Sequence, residues 1–178
     1  MLLALGGPTV TGKTSIASYL INNQGFVHLP PVTTRPLRRN EVNGLDYYFI
    51  EDSTFQALIQ NNSLIFWDQL FGNKYGISRE MDHFVATYPK VIVTVPVWRL
   101  DDLFQRYRDV VGIHLLAPSG EEVRRRLISR GSLNIHEIEE RVNEAMRQNS
   151  FYIPMVHRMA PVSLDDVRTE ILHIIATA

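Results

Sequence analysis

The sequence predicts an α/β fold built on a parallel sheet, and three observations carry that expectation. Short runs dominated by apolar and β-branched residues, at Met1–Leu5, Val91–Val97 and Ile113–Leu116, read as strands covered on both faces. Helical stretches alternate with these runs towards both ends of the chain, the pattern of strands linked by crossover helices. Gly6-Gly7 closes the first run and opens a glycine-bearing segment that leads straight into the first helical stretch.

Taken in order, Met1–Leu5 is a buried strand and Thr14–Ile21 a helix opening at Gly12-Lys13. Residues 25–50 are rich in proline, glycine, asparagine and charge, with short β-type pieces such as Tyr47–Ile50. Asp52–Asn61 reads as a helix, with Phe55, Leu58 and Ile59 on one face. Ser63–Tyr75 reads as strand–turn–strand around Gly72. Together the β-type pieces between residues 30 and 78 predict a small antiparallel insertion. Glu121–Ile128 and Ile135–Arg147 are charged helices. Leu164–Ala176 is a closing amphipathic helix with Leu164, Val167, Ile171, Leu172, Ile174 and Ile175 facing inward.

Composition excludes several classes. With 178 residues, 45% of them hydrophobic, the chain is one domain with a proper core. A net charge of −1 argues against a general nucleic-acid or anionic-membrane surface. There is no cysteine, so disulfides, thiolate metal sites and thiol nucleophiles are excluded. No apolar run is long enough to span a membrane, and the start lacks the basic region of a signal peptide, so the expected location is cytoplasmic. Asn61-Asn62-Ser63 fits a glycosylation sequon and is read as a solvated loop. The six histidines have no zinc-ligand spacing, and His114 is expected to be a satisfied core residue. Trp67 and Trp98 are expected to pack rather than stack on a ligand.

Gly7-Pro8-Thr9-Val10-Thr11-Gly12-Lys13-Thr14 matches G-x-x-x-x-G-K-[ST] between a strand and a helix. Gly7 and Gly12 let the backbone, through Thr9 and Thr11, wrap closely and point N–H groups at phosphate oxygens. The helix N-terminus adds partial positive charge, Lys13 a full one, and the Thr14 hydroxyl can ligate magnesium. This predicts ATP-type phosphate binding with Mg2+. Further along, Arg35 and Arg38 offer forked donors for a second phosphate, and Tyr47 and Tyr75 hydroxyls for the same anion.

The string from Pro31 to Phe49 resembles S-x-T-T-R-x-P-R-x-G-E-x-x-G-x-D-Y-x-F of the guanylate kinase family, and Gly72-Asn73-Lys74-Tyr75-Gly76-Ile77 resembles its G-N-x-Y-G-[ST]. The resemblance covers nearly the whole chain. It implies a three-layer parallel-sheet P-loop kinase core (residues 1–30, 80–119 and 143–178), an acceptor-binding insertion (31–79) and a helical lid (120–142). It also implies that Arg35, Arg38, Tyr47 and Tyr75 hold the acceptor's monophosphate. Lid arginines Arg126, Arg130 and Arg141 would lie on the transferring phosphates, neutralising charge and excluding water on closure.

Four positions depart from the family pattern. Pro31 replaces a base-binding serine, Phe66 the guanine-reading glutamate, and Ile77 the Ser/Thr that reads the keto oxygen; the acidic D-x-D strand becomes Thr94-Val95-Pro96. Asp68 stands two residues after Phe66, on the same strand face but about 7 Å along. The family's adenine-side N-D-D becomes Pro161-Val162-Ser163, so donor-base preference does not carry over. These departures predict a kinase that transfers the γ-phosphoryl group of ATP to a phosphorylated small molecule, a nucleoside monophosphate other than GMP. The alternatives are a true guanylate kinase, a sugar-phosphate kinase and a non-catalytic guanylate-kinase-like binding module.

Overall fold

β1 (Leu2–Gly6) is buried along its whole length because it is the middle strand of a five-stranded parallel sheet. The computed structural model describes every residue except Asn40, Ser132, Pro161, Val162 and Ala178. The strand order is β2 (Val27–His28), β7 (Val91–Val95), β1, β8 (Val110–Leu115), β9 (Val156–Met159). Every pairing in it is parallel.

The residues of β1 alternate between two cores, as strand geometry requires. Leu3 and Leu5 pack with Ile16 and Leu20 of α1 (Lys13–Gln24) and Val167 and Ile171 of α7 (Leu164–Thr177). Leu2 and Ala4 pack with Met81 of α3 (Glu80–Thr87) and Leu100 and Leu103 of α4 (Leu100–Arg106). This is the expected three-layer α/β core. Helices α3 and α4 have no counterpart in the sequence reading, since each is about two turns long and too short to repeat a helical period. Strand β9 was also illegible: its His157 and Arg158 are exposed, so no apolar run marks it. Leu164 departs from its expected inward position. It is 43% exposed and lies over the phosphate loop, where a Cβ on Gly12 would come within 2.8 Å of its Cδ2.

The insertion is a second sheet, ordered β4 (Tyr48–Phe49), β3 (Val32–Thr33), β6 (Asn73–Ser78), β5 (Leu64–Leu70). It is mixed rather than purely antiparallel: β3 runs parallel to β4, while β3–β6 and β5–β6 are antiparallel. The parallel pair forms because β3 and β4 are joined by a long excursion rather than a tight turn. Phe71 (φ +50°) and Gly72 (φ +74°) make the β5–β6 turn. Both positive values are those of a two-residue hairpin whose twist matches the strands. Helix α2 (Asp52–Gln60) closes the insertion by placing fully buried Phe55 against Val32 and Leu64.

Two further helices form an arm. α5 (Gly120–Arg130) is capped by the Ser119 hydroxyl, carries Glu121 and Glu122 in its first turn, and ends at Gly131 (φ +69°). α6 (Ile135–Asn149) begins with a capping box between Asn134 and Glu137. Val123 and Leu127 of α5 meet Ile138, Val142 and Ala145 of α6 in a separate small core that also takes Val10 of the phosphate loop. Among the described residues no helix is long and apolar enough to cross a membrane.

Phe55→Ala tests whether the insertion has its own core. Truncating a fully buried phenylalanine costs about 3–5 kcal/mol. Here the loss is expected in hydrogen exchange of β3, β5 and β6 before it reaches β1 and β8. Uniform loss of protection across both sheets would mean that the insertion does not open separately.

Candidate functional site

The loop between β1 and α1 is shaped by what its glycines make room for. Gly7 (φ +131°) has a backbone conformation that L side chains rarely adopt, and a Cβ there would lie 2.3 Å from the Leu115 carbonyl oxygen. The Thr11 hydroxyl donates to the Pro8 carbonyl at 2.9 Å and braces the turn. Helix α1 then starts at Lys13 with no side-chain cap and no acid in its first turn. Its opening N–H groups and dipole are therefore uncompensated from within the chain, which suits an anion. Lys13 Nζ donates to the Gly7 and Pro8 carbonyls at 2.7 and 2.6 Å. Burial of the ammonium, followed by the charge of Arg130, brings its pKa down to about 7.

Across the cavity, the insertion positions the second group. Arg35 is 7% exposed, and its guanidinium donates to both oxygens of Glu41 at 2.9 and 2.8 Å. Its flanks lie against the rings of Tyr47 and Phe49, 5.4 and 5.3 Å from the centroids. Burial opposes the Arg35 charge, yet Glu41 outweighs it and holds the pKa above the ordinary arginine value. Glu41 also accepts from the Arg38 backbone N–H at 2.9 Å, so it fixes the whole Arg35–Arg38 segment. The Tyr47 and Tyr75 rings meet edge to face at 6.2 Å, and burial raises the pKa of Tyr47.

The charge that remains is concentrated. Among the described residues Arg38, Arg130 and Arg141 make no side-chain hydrogen bond; Arg38 has only a 3.7 Å approach to Glu41. All three line the cavity that also holds Gly7–Ser15, Arg35, Tyr47 and Tyr75. Burial first, then the nearby Arg38, lowers the pKa of Arg130. Burial also lowers that of Arg141, with Arg38 and Arg35 adding to it. Like charges held this close, with no hydrogen-bonded carboxylate on their guanidinium groups, favour a polyanion between them.

The expected site residues therefore converge, with one exception. Gly7, Thr9, Thr11, Gly12, Lys13, Thr14, Pro31, Arg35, Arg38, Tyr47, Phe66, Asp68, Tyr75, Ile77, Arg130 and Arg141 all border this cavity. Arg126 does not: its Nε pairs with Glu122 at 2.6 Å and its guanidinium donates to the Val10 carbonyl at 3.0 Å, bracing the phosphate loop from behind. Asp68 reaches the cavity, but both its oxygens are occupied, by Arg99 at 2.8 and 3.0 Å and by the Trp98 indole at 3.2 Å. Phe66 and Ile77 are cross-strand partners, 9% and 2% exposed, so the wall beside Asp68 is apolar. Ser132, in the loop between α5 and α6, and Pro161 and Val162, at the expected donor-base position, lie outside the described residues.

Sequence reasoning missed Glu41, Phe71, Arg99 and Gln148. Glu41 sat inside the matched string without a role. Arg99 and Gln148 carry no local motif, and their positions follow from tertiary packing alone. Gln148 is 5% exposed, borders the cavity, and has an Oε1 with no partner. His114 is 1% exposed as expected, but its Nε2 has no partner, so it is not a satisfied core residue. Trp98 packs on Phe151, and Trp67 packs on Phe55 while remaining 38% exposed.

The cradle, the uncapped helix and the unpaired cations fit the phosphates of ATP. For Mg2+ the fit rests on Thr14, whose residue is exposed at the start of α1 and borders the cavity. The described residues contain no cluster of three metal-ligating side chains. Glu41 and Asp68 are already neutralised by arginines. Magnesium held by one hydroxyl, phosphate oxygens and water is consistent with its habits.

Lys13 makes a pH dependence testable. With its pKa near 7, the amine is largely neutral above that pH, whereas phosphate binding favours the ammonium. ATP binding is then expected to take up a proton above about pH 7, and affinity to fall by up to roughly tenfold per unit as pH rises further. Calorimetry in buffers of different ionisation heat measures the uptake. Absence of uptake at pH 8, or the same uptake in Lys13→Met, would contradict this assignment.

Comparison with known proteins agrees with this geometry. Residues 1–172 match the family model Guanylate kinase. The guanylate kinase of Novosphingobium aromaticivorans is 32% identical over 155 residues, which span 85% of this chain and 70% of that protein. That of Wolbachia pipientis wMel is 33% identical over 153 residues, spanning 84% and 76%. A crystal structure of guanylate kinase from Anaplasma phagocytophilum has the same fold, with a TM-score of 0.74 at 24% identity, covering 99% of this chain and 85% of that one. A phosphate loop on a parallel sheet, a mixed-sheet insertion facing it and an arginine-bearing helical arm thus have one source: the chain belongs to the guanylate kinase family.

Proposed function

We propose that the protein is an ATP-dependent nucleoside monophosphate kinase, with GMP as the acceptor that its relatives favour. The observation carrying this reading is the trio of guanidinium groups without a side-chain hydrogen bond, Arg38, Arg130 and Arg141, on one cavity between the phosphate loop and the Tyr47–Tyr75 pair. Two phosphate sites facing each other across such a charge are what phosphoryl transfer requires, since its catalysis is mostly positioning and charge stabilisation. In this reading Lys13 and the α1 N-terminus hold the donor phosphates, and Thr14 holds Mg2+. Arg35, Arg38, Tyr47 and Tyr75 hold the acceptor phosphate. Residues 31–79 act as the acceptor-binding part and 120–142 as a closing lid that brings Arg130 and Arg141 onto the transferred group.

The relatives, all named guanylate kinase, favour GMP over the non-GMP acceptor expected from the sequence departures. One observation favours the second reading. Phe66 and Ile77 form an apolar pair at the cavity wall, and the nearby Asp68 is consumed by Arg99. A guanine edge set against that pair would leave polar groups unpaired, at about 1–3 kcal/mol each. A less polar base avoids the cost.

An ADP-release assay across the common ribo- and deoxyribonucleoside monophosphates decides between them. Highest kcat/KM with GMP supports the first reading; a pyrimidine or other base preferred by tenfold or more supports the second. No transfer to any monophosphate would remove both.

Lys13→Ala is expected to lower turnover by roughly 10²–10³ with the fold intact, the loss typical of removing one group aimed at developing charge. Near-normal turnover in that variant would refute the assignment. Removing the acceptor's phosphate is expected to weaken its binding by about 2–5 kcal/mol, as losing a charged, hydrogen-bonded partner does. Equal affinity of nucleoside and nucleotide by calorimetry would place the Arg35–Arg38 pair elsewhere in the reaction.

A further inference from the structure

Arg141 is a buried cation that, among the described residues, has no side-chain hydrogen bond and no ion pair. Its residue is 9% exposed, its Nε is buried without a partner, and no described carboxylate pairs with it. What it does have is a ring: its guanidinium carbon lies 4.2 Å from the centroid of Phe71, the shortest of the described cation–ring distances. Phe71 belongs to the insertion hairpin and Arg141 to α6, so this contact joins the two parts that flank the cavity.

Phe71 is also the wrong residue for its own backbone. At φ +50° it occupies the left-handed region, where a bulky side chain is an outlier. A two-residue hairpin of this kind prefers asparagine or glycine there. The turn itself therefore does not explain the phenylalanine; its ring, which borders the cavity, does.

We propose that Phe71 is a positioning residue that seats Arg141, holding its guanidinium by the aromatic face while leaving its charge and N–H groups for a phosphoryl group. A carboxylate could have held Arg141 as firmly, as Glu41 holds Arg35, but it would have offset part of the charge and taken up two of the donors. A ring face supplies attraction without competing for the hydrogen bonds. The same contact sets the position of the α6 arginine relative to the insertion, so the two flanks of the cavity are registered through one side chain.

In its kinetic arm the inference rests on the phosphotransfer reading; a binding arm does not. Phe71→Asn suits the turn and is expected to unfold no earlier than the parent in denaturant. Its kcat/KM with ATP and GMP should nevertheless fall by roughly three- to thirtyfold, the range of a partly desolvated cation–π contact. Phe71→Trp should restore most of the rate, and Phe71→Leu, which keeps apolar bulk only, should not. In an Arg141→Ala background Phe71→Asn should cost nothing further. Full activity of the asparagine or leucine variant, or losses that multiply with Arg141→Ala, would overturn the assignment.

If the parent transfers to no monophosphate, the function proposed above fails, and tripolyphosphate binding measured by calorimetry decides the inference. Weakening by Phe71→Asn only when Arg141 is present supports it; equal affinity overturns it.

Discussion

The structure depends on keeping cations close together without letting them be neutralised. Lys13, Arg38, Arg130 and Arg141 border one cavity, and the pKa values of Lys13, Arg130 and Arg141 are lowered by burial and by neighbouring positive charge. Such a cluster is unfavourable by itself. Two of its members are held by groups that carry no opposing charge: backbone carbonyls for Lys13, a ring face for Arg141. Carboxylates are admitted only where they build the frame. Glu41 ties the Arg35–Arg38 segment, and Asp68 is spent on Arg99, joining the insertion to the residues just before α4.

Other arginines show the opposite treatment. Arg124 is paired with Glu139 across α5 and α6, Arg125 with Glu122, and Arg147 with Glu144. These are exposed pairs of small energetic weight. Their presence beside unpaired Arg130 and Arg141 separates the helical arm into a solvated outer face and an inner face facing the cavity. Arg126 lies between these roles, reaching the loop carbonyl of Val10 while held by Glu122.

What the sequence disclosed, and what it hid, follows from the range of the interactions. The phosphate loop is local: its glycines, lysine and threonine lie within eight residues, so both its form and its chemistry were legible. Strands β1 and β7 were legible because burial on both faces leaves almost no polar residue to blur the run, Thr94 alone interrupting β7. The segment from Pro31 to Phe49 was legible as an ordered string, and its Arg35, Arg38 and Tyr47 border one cavity with Tyr75. The parallel β3–β4 pair was not, because two-residue strands have no period to read. Arg126 and Arg141 look alike in the sequence, each an arginine on a charged helix. Only packing tells that one faces the loop's back and the other the cavity. Phe71 is hidden for a further reason: its signal is a backbone angle, which no residue pattern displays.

The position of β1 has a consequence for how the chain is made. β1 is the first element in the sequence, yet it bonds to β7 at Val91–Val95 and to β8 at Val110–Leu115, and it packs on Val167 and Ile171 of α7. Until residues 91–115 have been synthesised, this apolar strand lacks both of its neighbours. The strands and Phe55 core of the insertion, by contrast, lie entirely between residues 32 and 78 and precede β7 in the chain. Synthesis thus passes through an interval in which the chain carries an unpaired, fully apolar strand, the type of species that aggregates or recruits a chaperone. The phosphate loop hangs from that strand and is covered by Leu164. The loop therefore reaches its final surroundings only once α7 has been made, although its motif lies more than a hundred residues earlier.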